Sequence, residues 1–199
     1  IPNVLGTGLQ AMFGRQIAEG DFEALRSSYK PYRALVYAVS AIACGCAFSL
    51  ILPFVDLYTD GFHDANYHNA LLGFLIVLNV FLFHGKSSQG LLVIAAGMYK
   101  ETRWQTCLQA AIIILLGIPL TSCFGVVGTI AASCISNLYR VVDLLLFEPR
   151  RISGESVAGS FRSFALYVLQ AALIAIPGYF LSDIAGSWTC LLYTSDAAD

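Results

Sequence analysis

Long apolar runs separated by short polar stretches organise this chain. Five complete runs lie at 34–57, 69–99, 106–121, 125–147 and 161–181, and a shorter one leads them at 1–18. Crossing the hydrocarbon layer takes about 20 residues of helix at 1.5 Å rise, and most of these runs reach that length. They are apolar nearly all the way round, whereas the helices of a water-soluble bundle keep a polar outer stripe. A soluble domain of 199 residues could hide one such run in its core, but not five. The pattern predicts an all-α polytopic transmembrane helix bundle with five complete spans and one truncated span. Between runs, residues 21–32 (DFEALRSSYKPY) predict a short amphipathic helix, capped by Asp21 and closed by Pro31. The stretch 58–68, with Asp60, His63, Asp64 and His68, and the later EPRRISGESVAGS read as solvated loops.

Charge then orients the bundle. Charged residues make up 12% of the chain, against about 25% in soluble domains, and no basic face for nucleic acid is present. Lys and Arg fall in successive loops as four, none, two, none and three, leaving only Lys86 and Arg140 inside runs. That alternation fits five consecutive spans with the basic loops on the cytoplasmic side. Tyr58, Tyr99, Trp104 and Trp188 stand near the borders, where aromatic residues anchor helices at the interface. Cys44, Cys46, Cys107, Cys123 and Cys134 have no metal-binding spacing and read as small packing residues, not as disulfides. The opening IPNVLG, without Met, reads as the inside of a longer chain. Residues 190–199 resemble the translation of a transposon-based sequencing adapter, so 1–189 are taken as the bundle and the tail as non-native.

The two interior cations carry the functional question, because a charge at mid-bilayer costs roughly 2.5–3.5 kcal/mol even on lenient insertion scales. On a helix, Asn79 and Lys86 fall within about 20° of each other, with Gly90 and Gly97 on the same face. Such a stripe suits the border of a water-filled cavity; the alternative is a lysine that snorkels to an interface. His84 lies about 140° from Asn79 and reads as a helix-packing hydrogen bonder. A second stripe gathers Thr129, Ser133, Ser136, Asn137 and Arg140 within about 100°. Arg140 has three readings, an ion pair with Asp143 three residues on, snorkelling to the cytoplasmic boundary near Phe147 seven residues on, or contact with an anion. Tyr167 and Gln170 form a polar pair in the last span, and Pro177 predicts a kink there, as Pro53 does earlier. Gly125 and Gly128 mark a close backbone approach at a helix start. No enzyme motif, metal-ligand spacing or cofactor motif is present.

Three stretches resemble the lipid-linked oligosaccharide flippases, the polysaccharide-biosynthesis branch of the superfamily that includes multidrug extrusion (MATE) transporters. They are Ala18-Glu-Gly-Asp21, Ala95-Ala-Gly-Met-Tyr-Lys-Glu-Thr102 and Phe124-Gly-Val-Val-Gly-Thr-Ile-Ala-Ala-Ser133, in the family's order. A proline usual in the family's first partial helix is displaced here to Pro2 or absent. The resemblance implies a C-terminal-half bundle of a two-bundle transporter in a bacterial inner membrane, its partner being the N-terminal bundle of the same chain. It implies a substrate of undecaprenyl-pyrophosphate-linked oligosaccharide moved by alternating access. Lys86 and Arg140 would then meet the diphosphate, while Asn79, Asn137, Tyr167 and Gln170 hydrogen-bond sugar. The rivals are a MATE-type cation antiporter, for which Asp143 is the available span carboxylate, a membrane-embedded sugar-lipid enzyme, and a membrane scaffold. The enzyme would need a large outer loop, which is missing here.

Overall fold

The computed structural model describes the backbone of residues 2–59 and 70–196, and the side chains of residues 8–51 and 71–178. Among the described residues seven α-helices follow one another: α1 (Pro2–Glu19), α2 (Phe22–Thr59), α3 (Ala70–Gly85), α4 (Ser87–Ala95), α5 (Tyr99–Phe124), α6 (Val126–Glu148) and α7 (Val157–Asp196). A π-helical turn, Pro149–Ser153, extends α6. Among the described residues there are no strands, and five segments are long and apolar enough to cross a membrane. The chain is an all-α bundle with the make-up of a multi-pass membrane protein. The outward faces agree with that solvent: Leu115, Ile118 and Phe124 of α5 are 71%, 68% and 69% exposed. Such surface is disfavoured against water and compatible with lipid tails. The stretch 60–69, with His63 and His68, lies outside the described residues, as do the side chains of Tyr58 and Trp188.

Two expected boundaries differ. Asp21 does cap, its Oδ1 accepting from the Ala24 amide at 2.9 Å. Pro31, however, closes nothing, and α2 runs through it to Thr59. Leu25, Tyr29, Arg33 and Tyr37, each four residues apart, form one buried ladder that packs on both sides of the proline. Pro31 itself points outward, and tertiary packing outweighs the lost amide hydrogen bond.

The run 69–99 is likewise not one helix. It breaks at Lys86, between α3 and α4, and ends at Ala95 before Gly97, whose φ is 67°. A break in apolar surroundings exposes carbonyls, and each unpaired one is costly. Here hydroxyls take two of them, Ser87 donating to His84 at 2.8 Å and Tyr37 to Gly85 at 3.1 Å, while Tyr167 donates to the Phe81 carbonyl one turn earlier at 3.0 Å. Gln89 Nε2 in turn donates to the Tyr37 hydroxyl at 2.6 Å. Polar groups from α2 and α7 thus hold the break open.

Packing centres on α2, which lies against α7 and α3, while α6 lies against α3 and α5. One core stacks Tyr167 between Phe81 (4.2 Å, 3° between planes) and Tyr37 (4.8 Å, 17°). A second core joins Phe13, Leu25, Tyr29, Leu92, Leu144 and Ile152 toward the basic end. Helices α5 and α6 come closest at Gly128, where an added Cβ would fall on the Leu120 carbonyl group. Gly125 does a different job from the expected one. With φ at 58° it makes the turn, and open space surrounds its α-carbon. Cys44 and Cys134 are buried packing residues as expected, whereas Cys46, Cys107 and Cys123 are exposed.

Candidate functional site

The helix break places the Lys86 side chain at the junction of α3 and α4, facing α6. Its ammonium donates to Asn137 Oδ1 at 2.6 Å, and the Phe83 ring lies beneath it at 5.3 Å. Asn137 Nδ2 donates to Asn79 Oδ1 at 2.6 Å, and Ser133 Oγ donates to the same oxygen at 3.1 Å. Gln109 Nε2 of α5 reaches Asn137 Oδ1 at 3.4 Å, while Ser136 Oγ holds the Gln109 carbonyl at 3.0 Å. The two predicted stripes, Asn79–Lys86 and Ser133–Asn137, therefore meet as one chain of neutral polar groups ending on a cation. Among the described residues no carboxylate stands within ion-pair distance of Lys86. An ammonium held only by neutral acceptors keeps its full charge for a partner.

That charge borders a cleft of about 710 Å³, walled by Tyr32 of α2, Thr102, Thr106 and Gln109 of α5, and Arg140 of α6. Arg140 makes the predicted ion pair and also faces the cleft. Its Nη1 donates to Asp143 Oδ2 at 2.6 Å, with the two side chains 11% and 16% exposed, and it still lines the cleft. The pair is close to neutral, so Lys86 is the net cation of the cleft. Among the described residues, no group of three His, Cys, Asp or Glu side chains could hold a metal ion.

No family model, curated protein or solved structure matches this chain.

Of the six residues predicted for substrate, Lys86, Asn79, Asn137 and Arg140 come together. Tyr167 and Gln170 do not join them. Tyr167 is fully buried in the aromatic stack with its hydroxyl committed to Phe81, and Gln170 is exposed beside a different cleft between α2 and α7. His84, expected as a helix-packing hydrogen bonder, is exposed, and its ring meets Phe83 edge-on at 5.7 Å.

Two groups of functional residues escaped the sequence reading. Thr102, Thr106 and Gln109 recur at the i, i+4, i+7 spacing of one helix face, a stripe legible in principle. It was hidden by starting the span at 106, when α5 begins nearly two turns earlier at Tyr99. Arg33 was counted among the loop cations but is buried, with a side chain 6% exposed. Its Nη2 meets Glu155 at 2.9 Å and its Nη1 lies 3.8 Å from Glu148, which is fully buried. The Tyr29 ring covers its guanidinium at 5.1 Å. Nothing local to Arg33 announces this, since its partners lie more than a hundred residues downstream.

Proposed function

We propose that the chain is part of a flippase of the bacterial inner membrane, moving an oligosaccharide linked through a diphosphate to a polyprenyl lipid. The observation that carries the reading is Lys86: a cation without a carboxylate among the described residues, fixed by a neutral amide, opening on a cleft inside a membrane bundle that Thr102, Thr106 and Gln109 also line. A diphosphate supplies the missing counter-charge, and each charge makes the other tolerable in a low-dielectric setting. Arg140, freed from Asp143 or shared with it, adds planar donors suited to phosphate oxygens. Sugar hydroxyls would meet Gln109, Asn137 and the threonines of α5, not Tyr167 or Gln170. The polyprenyl tail stays in the bilayer beside the apolar outer face. Transport proceeds by alternating access, in which this bundle rocks against a second one and the cleft opens first to the cytoplasm, then outward.

A cation antiporter is the weaker reading, because its available carboxylate, Asp143, is already bound to Arg140 and the free charge in the cleft is positive. The test is Lys86→Ala in the full-length parent, scored by export of surface polysaccharide at matched protein level. Export is expected to fall at least ten-fold; export at the parental rate would end the proposal.

A further inference from the structure

A second cleft, of about 630 Å³, opens between α2 and α7 and shares no lining residue with the Lys86 cleft. Four cations line it, Arg26, Lys30, Arg33 and Arg162, and Glu155 is the one carboxylate among its lining residues. Each cation is held differently. Arg33 is buried and locked by Glu155 and by Glu148 behind it. Lys30 is 60% exposed and lies 3.6 Å from Glu155. Arg26 spends its donors on the neutral carbonyls of Ser153 (2.6 Å) and Gly154 (2.9 Å), so its charge is uncancelled. Arg162 is exposed and, among the described residues, has no hydrogen bond or ion pair. Counting both glutamates, two positive charges remain in excess.

The floor of the cleft adds to this. Ser156 Oγ accepts from the Gly159 amide at 3.1 Å, so α7 starts at the cleft and turns the positive end of its dipole toward it. From Arg162 the cleft descends along Leu166 to Gln170, eight residues or about 12 Å of helix. Leu173, seven residues after Leu166 and on the same face, continues that line and is 62% exposed. A basic mouth leading onto an apolar helix face, at the rim of a membrane bundle, has the two-part chemistry of a lipid.

We propose that this cleft binds the phosphate headgroup of an anionic lipid, with the acyl chains lying along Leu166 and Leu173 of α7. The site does not depend on the flippase reading, since neither Lys86 nor Arg140 takes part. Arg33 and Arg26 shape it, while Lys30 and Arg162 supply mobile charge to the phosphate.

The test uses the full chain purified in neutral detergent, with lipid retention and thermal stability measured on adding phosphatidylglycerol, phosphatidylcholine or inorganic phosphate. Phosphatidylglycerol is expected to be retained and to raise the melting temperature, the other two not. The double variant Lys30→Gln/Arg162→Gln removes two exposed side chains without touching the core and is expected to weaken phosphatidylglycerol binding about ten-fold or more. The control Lys100→Gln/Arg103→Gln, also exposed, is expected to keep it. Equal retention of the two lipids, no loss in the double variant, or the same loss in the control would overturn the site. Equal stabilisation by inorganic phosphate would replace the lipid with a free anion and would overturn the proposal as stated.

Discussion

Replacing Asn137 by aspartate puts a carboxylate where an amide oxygen now accepts from Lys86 at 2.6 Å. The volume is unchanged, and Asn79 can turn its amide to donate to the new oxygen, so the packing survives. What changes is the charge of the cleft. A unit charge about 4 Å from a phosphate at an effective dielectric near 20 contributes about 4 kcal/mol, and the half-buried setting of Lys86 halves this to about 2 kcal/mol. Cancelling it should weaken binding of a polyprenyl diphosphate by about 30-fold at about 1.4 kcal/mol per decade. Asn137→Leu is the matched opposite. It also breaks the amide chain, costing about 1–3 kcal/mol of stability, and frees the Lys86 rotamer, worth about 0.5–1.5 kcal/mol of ordering, but leaves the ammonium charged, so diphosphate affinity should fall by about ten-fold at most, clearly less than in the aspartate variant. Calorimetric titration of the two purified variants against the parent measures both effects. If Asn137 were merely a packing residue, the two variants would lose affinity equally. That outcome, or parental affinity in the aspartate variant, would refute the argument.

Two further perturbations probe the scaffold. Gly128→Ala drives a methyl onto the Leu120 carbonyl group and should cost about 1–3 kcal/mol in reversible detergent unfolding, whereas Gly90→Ala, with open space around it, should be neutral to the fold. Equal stability of both variants would show that the α5–α6 hairpin spreads freely. Arg33→Met strands two buried carboxylates and should cost about 3–5 kcal/mol, while adding Glu148→Gln and Glu155→Gln should recover most of that loss in the same assay. A triple variant as unstable as the single one would show that packing, not charge, makes the site sensitive.

How far these features can be read without coordinates depends on the range of the interactions that make them. The five apolar segments, the Asp21 cap and the Arg140–Asp143 pair are local and were legible in the residues. So was the pairing of Asn79 with Lys86 on one face, because a helical stripe needs only sequence spacing. The break at Lys86 was not legible. The hydroxyls that brace it, of Tyr37 on the Gly85 carbonyl and Tyr167 one turn earlier on Phe81, come from segments about 50 and 80 residues away, and no local breaker marks the spot beyond Gly85. An added Cβ at Gly85 would meet the Phe164 ring at 2.9 Å, so this glycine is needed for α7 to approach. The failure at Pro31 has the reverse cause, since a strong local signal lost to a buried ladder of side chains. Tyr167 was misplaced because a tyrosine in a span can serve a substrate or a backbone carbonyl, and only the neighbouring helix decides which.

The hydroxyls at the break of α3 and α4 have a consequence for binding. Because Ser87 and Tyr37 already occupy the carbonyls of His84 and Gly85, just before Lys86, no ligand is needed to cap them. The ammonium of Lys86 is therefore positioned before any anion arrives, its rotamer fixed by Asn137. An arriving anion has little ordering entropy left to overcome at this position, and the preorganisation favours affinity without adding a single contact.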